Sequence, residues 1–244
     1  MIKKIKLSEN VNILLIKLRA LGDVLLSTPA ISTLKKSFPG CSIDFAVLKE
    51  NHEIVEHNPL LREVFILDKA WDKLPLFKRL KKYREFIQDL KKVKYDVVID
   101  LQNSPRSIWL GFFSKGRYKI GYTKPQNFFY TYRLKQVNRV QHNVDDLLYL
   151  LSPLSPVDIT RSLSLSYPEI ISEDLEKRLN LSKRSYVIIH PGAGRRRRFK
   201  MWGINNFSRV AEEIIKMNYE VFIVGGPGDS DLIEEFKNEL GQQE

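Results

Sequence analysis

The stretch from Asn12 to Lys36, NILLIKLRALGDVLLSTPAISTLKK, constrains the fold more than any other. Ile13 to Leu18 is a nearly continuous aliphatic run in which Lys17 is the only charge. That is the pattern of a strand buried on both faces of a parallel sheet. Arg19-Ala20-Leu21-Gly22-Asp23 follows, and then Val24, Leu25, Leu26, Ile31 and Leu34 at helical spacing. The segment therefore reads strand, tight turn, helix. In open α/β sheets ligands bind beyond the carboxyl ends of the strands, which is where Gly22 and Asp23 should sit. Gly22 permits a backbone conformation closed to other residues and a close approach by a ligand. Asp23 brings a carboxylate to the crevice, available as a general base, although capping of the helix is the commoner role for an aspartate there. Pro29 leaves two arrangements open: Thr28 caps a helix that begins at Pro29, or a helix that starts near Asp23 is kinked by it.

A chain of 244 residues suits one large domain or two small ones. No apolar run reaches the length of a membrane span, and the N-terminal MIKKIKLSENVN leads directly into the first strand, so a cytoplasmic location is expected. The single cysteine, Cys41, excludes an internal disulfide framework and reads as a small buried hydrophobe. Four scattered histidines argue against a structural zinc site. The net charge of +11 predicts an anionic partner: nucleic acid, a membrane surface or phosphorylated small molecules.

Further strands are expected at Ser42 to Leu48, Glu63 to Leu67, Tyr95 to Leu101 and Tyr118 to Gly121, with a short helix between Asn51 and Asn58. Leu74 to Lys94 reads as a long helix whose apolar side holds Leu76, Leu80, Phe86, Ile87, Leu90 and Val93. Its other side carries Lys78, Arg79, Lys81, Lys82, Arg84, Lys91 and Lys92, either a solvated face or a dock for an anionic surface. Gln102, Asn103 and Arg106 end the Tyr95 to Leu101 strand at the crevice edge, where they either reach an acceptor or form an ordinary turn. A helix runs from Ile108 to Phe113. The aromatic cluster Phe128 to Tyr132 beside Arg133, Lys135 and Arg139 is compatible with stacked bases, but core is the commoner role. A helix from His142 to Leu151 closes a first unit, 1–151, and the Ser- and Pro-rich segment 152–168 is the expected linker. The pattern restarts over 169–244: helix Ser172 to Asn180, strand Tyr186 to His190, helix Asn205 to Met217, strand Glu220 to Val224, helix Ser230 to Leu240.

His190-Pro191-Gly192-Ala193-Gly194 follows a buried strand and runs into Arg195, Arg196, Arg197, Arg198, Phe199 and Lys200. Glycines open backbone N–H groups to a ligand, and five cations in six positions offer charge-assisted bonds to phosphate oxygens. Neither the dinucleotide fingerprint nor a P-loop is present. Gly225-Gly226 begins a second Gly-rich turn after the next strand.

Taken together, LRALGDVLLSTPAI, YDVVIDLQ, HPGAG with KMWGINNFSRVAEEI, and VFIVGGPGD resemble glycosyltransferase family 9, the ADP-heptose:lipopolysaccharide heptosyltransferases. The resemblance implies an α/β chain of GT-B type, with two Rossmann-like domains built on parallel sheets. It implies inverting transfer of heptose from ADP-heptose to the inner core of lipopolysaccharide, with Asp23 as the base and Gly22 beside it. Lys200 matches the lysine that binds the donor diphosphate, with Gly192, Gly194 and Arg195 to Arg198 around it, and no cofactor or divalent metal is implied. Arg19, Gly22, Gln102, Asn103 and Arg106 fall on the acceptor side, and Gly225 and Gly226 on the second turn. The implied partners are an ADP-sugar, an anionic lipopolysaccharide acceptor and, peripherally, the inner face of the cytoplasmic membrane. The family's Asp-Ser-Gly-x-x-His-type motif, expected beyond VFIVGGPGD, is not in the sequence, and the second unit shows only two strands where about four to six are usual. That domain is therefore expected to be incomplete in this chain. A non-catalytic remnant is the alternative. Nucleic-acid binding is the weaker reading, because the cations cluster in a loop beyond a strand end with no accompanying RNA-binding signature.

Overall fold

The computed structural model describes residues 4–8, 10–136, 142–181, 185–193, 195–226 and 228–241; for 195–197 it describes the backbone only. The chain forms two compact units, Met1–Tyr167 and Pro168–Glu244.

In the first unit, β1 (Asn12–Ile16), β2 (Ser42–Leu48), β3 (Glu63–Leu67), β4 (Val97–Asp100), β5 (Tyr118–Tyr122) and β6 (Tyr132–Leu134) form one sheet in the order β3-β2-β1-β4-β5-β6. Every pairing is parallel. Helices cover both faces, so the central strands lose their solvent-facing side and their sequences become unbroken apolar runs. One face packs Ile13, Leu15, Ile43, Phe45, Val97 and Ile99 against α2 (Thr28–Ser37) and α5 (Asn143–Tyr149). The other packs Leu14, Ile16, Ala46 and Val98 against α3 (Leu76–Lys91) and α4 (Pro105–Phe113). The chain leaves β1 towards β2 on one side and enters β4 on the other. The order therefore reverses between β1 and β4, which is where such sheets open a crevice at their carboxyl edge.

Four expectations change. A five-residue α1 (Leu21–Leu25) precedes α2, and Pro29 lies in the first turn of α2 behind Ser27 at the cap, so Pro29 starts a helix rather than kinking one. Leu76 and Leu80 are exposed, because the buried stripe of α3 begins only where the helix reaches the sheet, at Phe86 and Leu90. The segment expected as a short helix over 51–58 is a 3-10 helix, Lys49–Ile54. The cluster Phe128 to Tyr132 divides: Tyr130 is buried, Tyr132 opens β6, and Phe128 points to solvent. The segment after α5 runs back along α2, where side-chain oxygens of Ser37, Thr33 and Thr28 accept from the backbone N–H groups of Asp158, Thr160 and Ser164 at 3.2, 3.1 and 3.0 Å.

The second unit holds α6 (Glu169–Leu179), β7 (Tyr186–Ile189), α7 (Ile204–Lys216), β8 (Glu220–Ile223) and α8 (Ser230–Gly241). β7 and β8 pair in parallel. Ile204, Ser208 and Ala211, at helical spacing, turn one side of α7 inward, and Leu232 and Phe236 of α8 complete a small core with Ile189.

Candidate active site

The carboxyl ends of β1 and β4 are built by one buried carboxylate. Asp100, the last residue of β4, accepts from the backbone N–H groups of Gln102 (3.0 Å) and Asn103 (2.8 Å), from Ser107 Oγ (3.0 Å) and from the Tyr130 hydroxyl (2.9 Å). Burial pushes its pKa up to about 6, against those four bonds, which favour the charged form. The turn it organises puts Asn103 in the left-handed region, at a φ of 53°, a conformation asparagine tolerates. Ser104 then caps α4, in a reciprocal box with Ser107. Gln102 turns back, and its Oε1 accepts from the Arg19 N–H at 3.0 Å, locking the β1 loop to the β4 loop. Gln102 is thus a brace between the two loops, in place of a free acceptor ligand. Among the described residues, the buried Asn103 carboxamide oxygen has no hydrogen-bond partner.

Asp23 does not cap α1. Ala20 holds the cap position, without a side-chain bond, and Asp23 stands in the first turn with 44% of its side chain exposed. Its carboxylate faces the Lys17 ammonium at 3.8 Å. Lys17 is buried, donates to the Leu101 carbonyl at 3.3 Å, and has its pKa lowered by burial against the pull of Asp23 and Asp100. In the sequence Lys17 is a lone charge in a strand; a lysine within a doubly buried run is the signal that a carboxylate must lie near it. Gly22 is helical and does not use the left-handed region. A Cβ there would meet nothing within 4 Å, so its value lies in the open space beside the main chain and not in backbone freedom.

Arg19, Lys69, Ser104 and Arg106, with Leu18, Leu48 and Pro105, line a recess of about 370 Å³, within the range of small-ligand sites. Lys69 pairs with Glu50. Arg106 bonds Asp72 at 2.5 Å, and Asp72 also accepts from the Tyr83 hydroxyl at 2.7 Å. Three cationic side chains lining one recess suit an anionic ligand.

In the second unit Asp229 draws the two Gly-rich turns together. A Cβ on Gly192 would lie 2.8 Å from the Asp229 carboxylate carbon, so any larger residue there would displace that carboxylate, and the Gly226 N–H donates to Asp229 Oδ2 at 3.0 Å. Gly225 also packs on Asp229. This aspartate, absent from the candidate ligands, packs against the first turn and hydrogen-bonds the second. A 3-10 helix, Arg195–Lys200, follows. Lys200 is exposed, its ammonium 5.9 Å from the Phe199 ring centre. Arg198, one of the expected phosphate ligands, is paired with Asp231 at the surface. Gly194 and the side chains of Arg195, Arg196 and Arg197 lie outside the described residues. Asp23, Arg19, Gly22, Gln102, Asn103 and Arg106 therefore belong to the first unit, and the phosphate candidates to the second.

The profile of glycosyltransferase family 9 (heptosyltransferase) matches residues 83–243. The chain belongs to this family. Lipopolysaccharide heptosyltransferase 3 of Escherichia coli is a relative 28% identical over 217 residues, covering 86% of the chain and 63% of that protein. The K12 strain's enzyme of the same name is 29% identical, with 62% of its length covered. The chain thus spans less than two thirds of the length of these curated relatives. In fold it matches the family 9 glycosyl transferase of Veillonella parvula, with a TM-score of 0.81 at 22% identity over 93% of this chain and 66% of the other. It also matches E. coli heptosyltransferase WaaC with ADP-2-deoxy-2-fluoro heptose, with a TM-score of 0.73 at 18% identity, covering 94% and 74% of the two chains. In fold, α/β with parallel strands, the chain thus matches heptosyltransferase structures of GT-B type.

Proposed function

We propose that the protein is a heptosyltransferase that moves heptose from ADP-heptose onto the inner core of lipopolysaccharide, with inversion at the anomeric carbon. The observation that carries this reading is Asp23: a half-exposed carboxylate at the switch point of the sheet, backed by a buried lysine, in the unit that also holds a cationic recess. Family membership, together with the pairing of WaaC with ADP-2-deoxy-2-fluoro heptose, favours an ADP-sugar as donor. The acceptor hydroxyl gives its proton to Asp23 as its oxygen bonds the anomeric carbon, and the bond from that carbon to the ADP oxygen breaks with its electron pair. Lys200 offsets the charge gained by ADP, so the scheme uses no metal and no cofactor. The recess with Arg19, Lys69 and Arg106 takes the phosphates and carboxylates of the acceptor, whose lipid anchor places the reaction at the inner face of the cytoplasmic membrane.

Incubation with ADP-heptose and heptose-deficient lipopolysaccharide tests the reading. The expected result is ADP release coupled to one added heptose, dependent on the acceptor. Acceptor-independent ADP release, or transfer from UDP-sugars with equal efficiency, would overturn it.

A further inference from the structure

α4 presents its outer side as a ridge of aromatic rings. Trp109 is 58% exposed, Phe112 and Phe113 flank it with ring centres 5.9 Å away, and Phe129 links Phe112 (5.0 Å) to Phe128 (5.6 Å), which is 75% exposed. α3 lies beside it on the same face of the sheet. The two helices are tied near their starts by Arg106 and Asp72, and at their ends by Lys91, whose ammonium sits 5.8 Å from the Phe113 ring centre. α3 adds Phe77, 86% exposed, and Leu80, among six cations against two carboxylates. An exposed apolar patch of this kind marks an interaction surface.

We infer that the outer faces of α3 and α4 form the surface by which the first unit lies on an anionic lipid bilayer, its rings at headgroup depth and the α3 cations on the lipid phosphates. Aromatic side chains favour the boundary between headgroups and acyl chains, and each cation near an anionic leaflet adds attraction. A second copy fits less well, since a two-fold pairing would set the α3 cations against one another. Single-stranded nucleic acid also fits less well, because the rings pack on one another, Trp109 stacked on Phe113 and the other pairs edge-on, and so engage each other in place of bases. The inference rests on the proposed function for its purpose. α4 starts at the recess holding Arg106, one turn before Trp109, so a bilayer on this ridge would deliver a lipid-anchored acceptor to that recess.

Sedimentation with vesicles of phosphatidylcholine, with and without a quarter phosphatidylglycerol, tests the surface without any turnover. Binding is expected only to the anionic vesicles, weakened by salt and at least tenfold weaker for the Trp109→Ser/Phe112→Ser/Phe128→Ser variant. Brominated anionic lipid should quench wild-type emission, and Trp109→Phe, a conservative change, should remove most of that quenching while Trp71 and Trp202 remain. Transfer to a lipid-free core oligosaccharide should be unchanged in these variants. Equal binding to both vesicles, quenching undiminished in Trp109→Phe, or ridge variants that lose RNA binding but keep vesicle binding would each overturn the inference. A wild-type protein that turns over but binds no anionic vesicles fails this surface alone, whereas a wild-type protein that binds them without turnover fails the functional reading alone.

Discussion

The two units solve the same architectural problem to different depths. In the first, Ile13 to Ile16 are wholly buried, helices cover both sheet faces, and the site loops are braced by Asp100, Gln102 and Tyr130. In the second, Tyr186 and Ile188 of β7 stay exposed, α6 buries no residue, and the best-held feature of the candidate site is the Asp229 carboxylate between two glycine turns. The contrast matters because catalysis and binding need different things. A base must be held within a fraction of an ångström of its proton, whereas a diphosphate can be gathered by several cations of loose geometry. Single changes in the first unit should therefore act through geometry and be large, and those in the second should act through summed charge and be smaller.

The largest effect is expected for Asp23→Ala. General bases contribute about 10²- to 10⁴-fold, so the turnover number should fall by that factor with the donor KM and the melting temperature nearly unchanged. Turnover within a few-fold of wild type removes Asp23 from the chemistry, and the braced crevice would then be a structural feature only.

Asp100→Asn probes the brace itself. The folded carboxyl, near 6, lies above its ordinary 3.8, so the folded state holds the extra proton between those values. Stability from this group is therefore fully present below about pH 4 and is lost as pH rises through 6, a cost of about 3 kcal/mol at most. The asparagine variant escapes that cost, so its stability relative to wild type should climb from pH 4 to 6 and then level off. Urea unfolding in a Trp202→Phe background, read through Trp71 and Trp109 of the first unit, checks this. A difference that is flat across that window would contradict the buried charge.

The same contrast governs what is legible in the sequence. β2 and β3 are legible to the residue, because short apolar runs bounded by polar turns carry their own limits. β6 is not, since a three-residue edge strand is specified by its neighbour β5 more than by its own sequence. The turn carrying Gly22 and Asp23 is legible as a site, yet the partners that hold it are not. Lys17 and Asp23 are near in sequence, but the brace joins Asp100 to Tyr130 and Arg19 to Gln102, pairs that meet only once the sheet has formed. Leu76 and Leu80 keep the period of a buried stripe and lie outside it, because periodicity marks an apolar side without saying how far along the helix the sheet extends.

Lys200→Ala comes next in size. A charge-assisted bond is worth about 1.5 to 3 kcal/mol, so ADP affinity should fall by roughly one to two orders of magnitude, measured by calorimetry. An unchanged affinity would move the phosphate contact away from the cationic run.

Arg198→Ala should have the smallest effect, and its size decides whether the second unit works by summed charge. Arg198 is paired with Asp231 and lies at the surface, its pKa raised first by the hydrogen bond it donates to that carboxylate. Exposed pairs contribute little, so the guanidinium can turn from Asp231 to a diphosphate at small cost. If it does, removing it should weaken ADP by only a few-fold, since neighbouring cations compensate, and the dependence of affinity on salt should become shallower by about one charge. If Arg198 instead stays with Asp231, the two single variants, Arg198→Ala and Asp231→Asn, should leave ADP affinity and its salt dependence unchanged. A loss as large as that of Lys200→Ala would mean a fixed, directional contact, and the second unit would then be as geometrically exacting as the first.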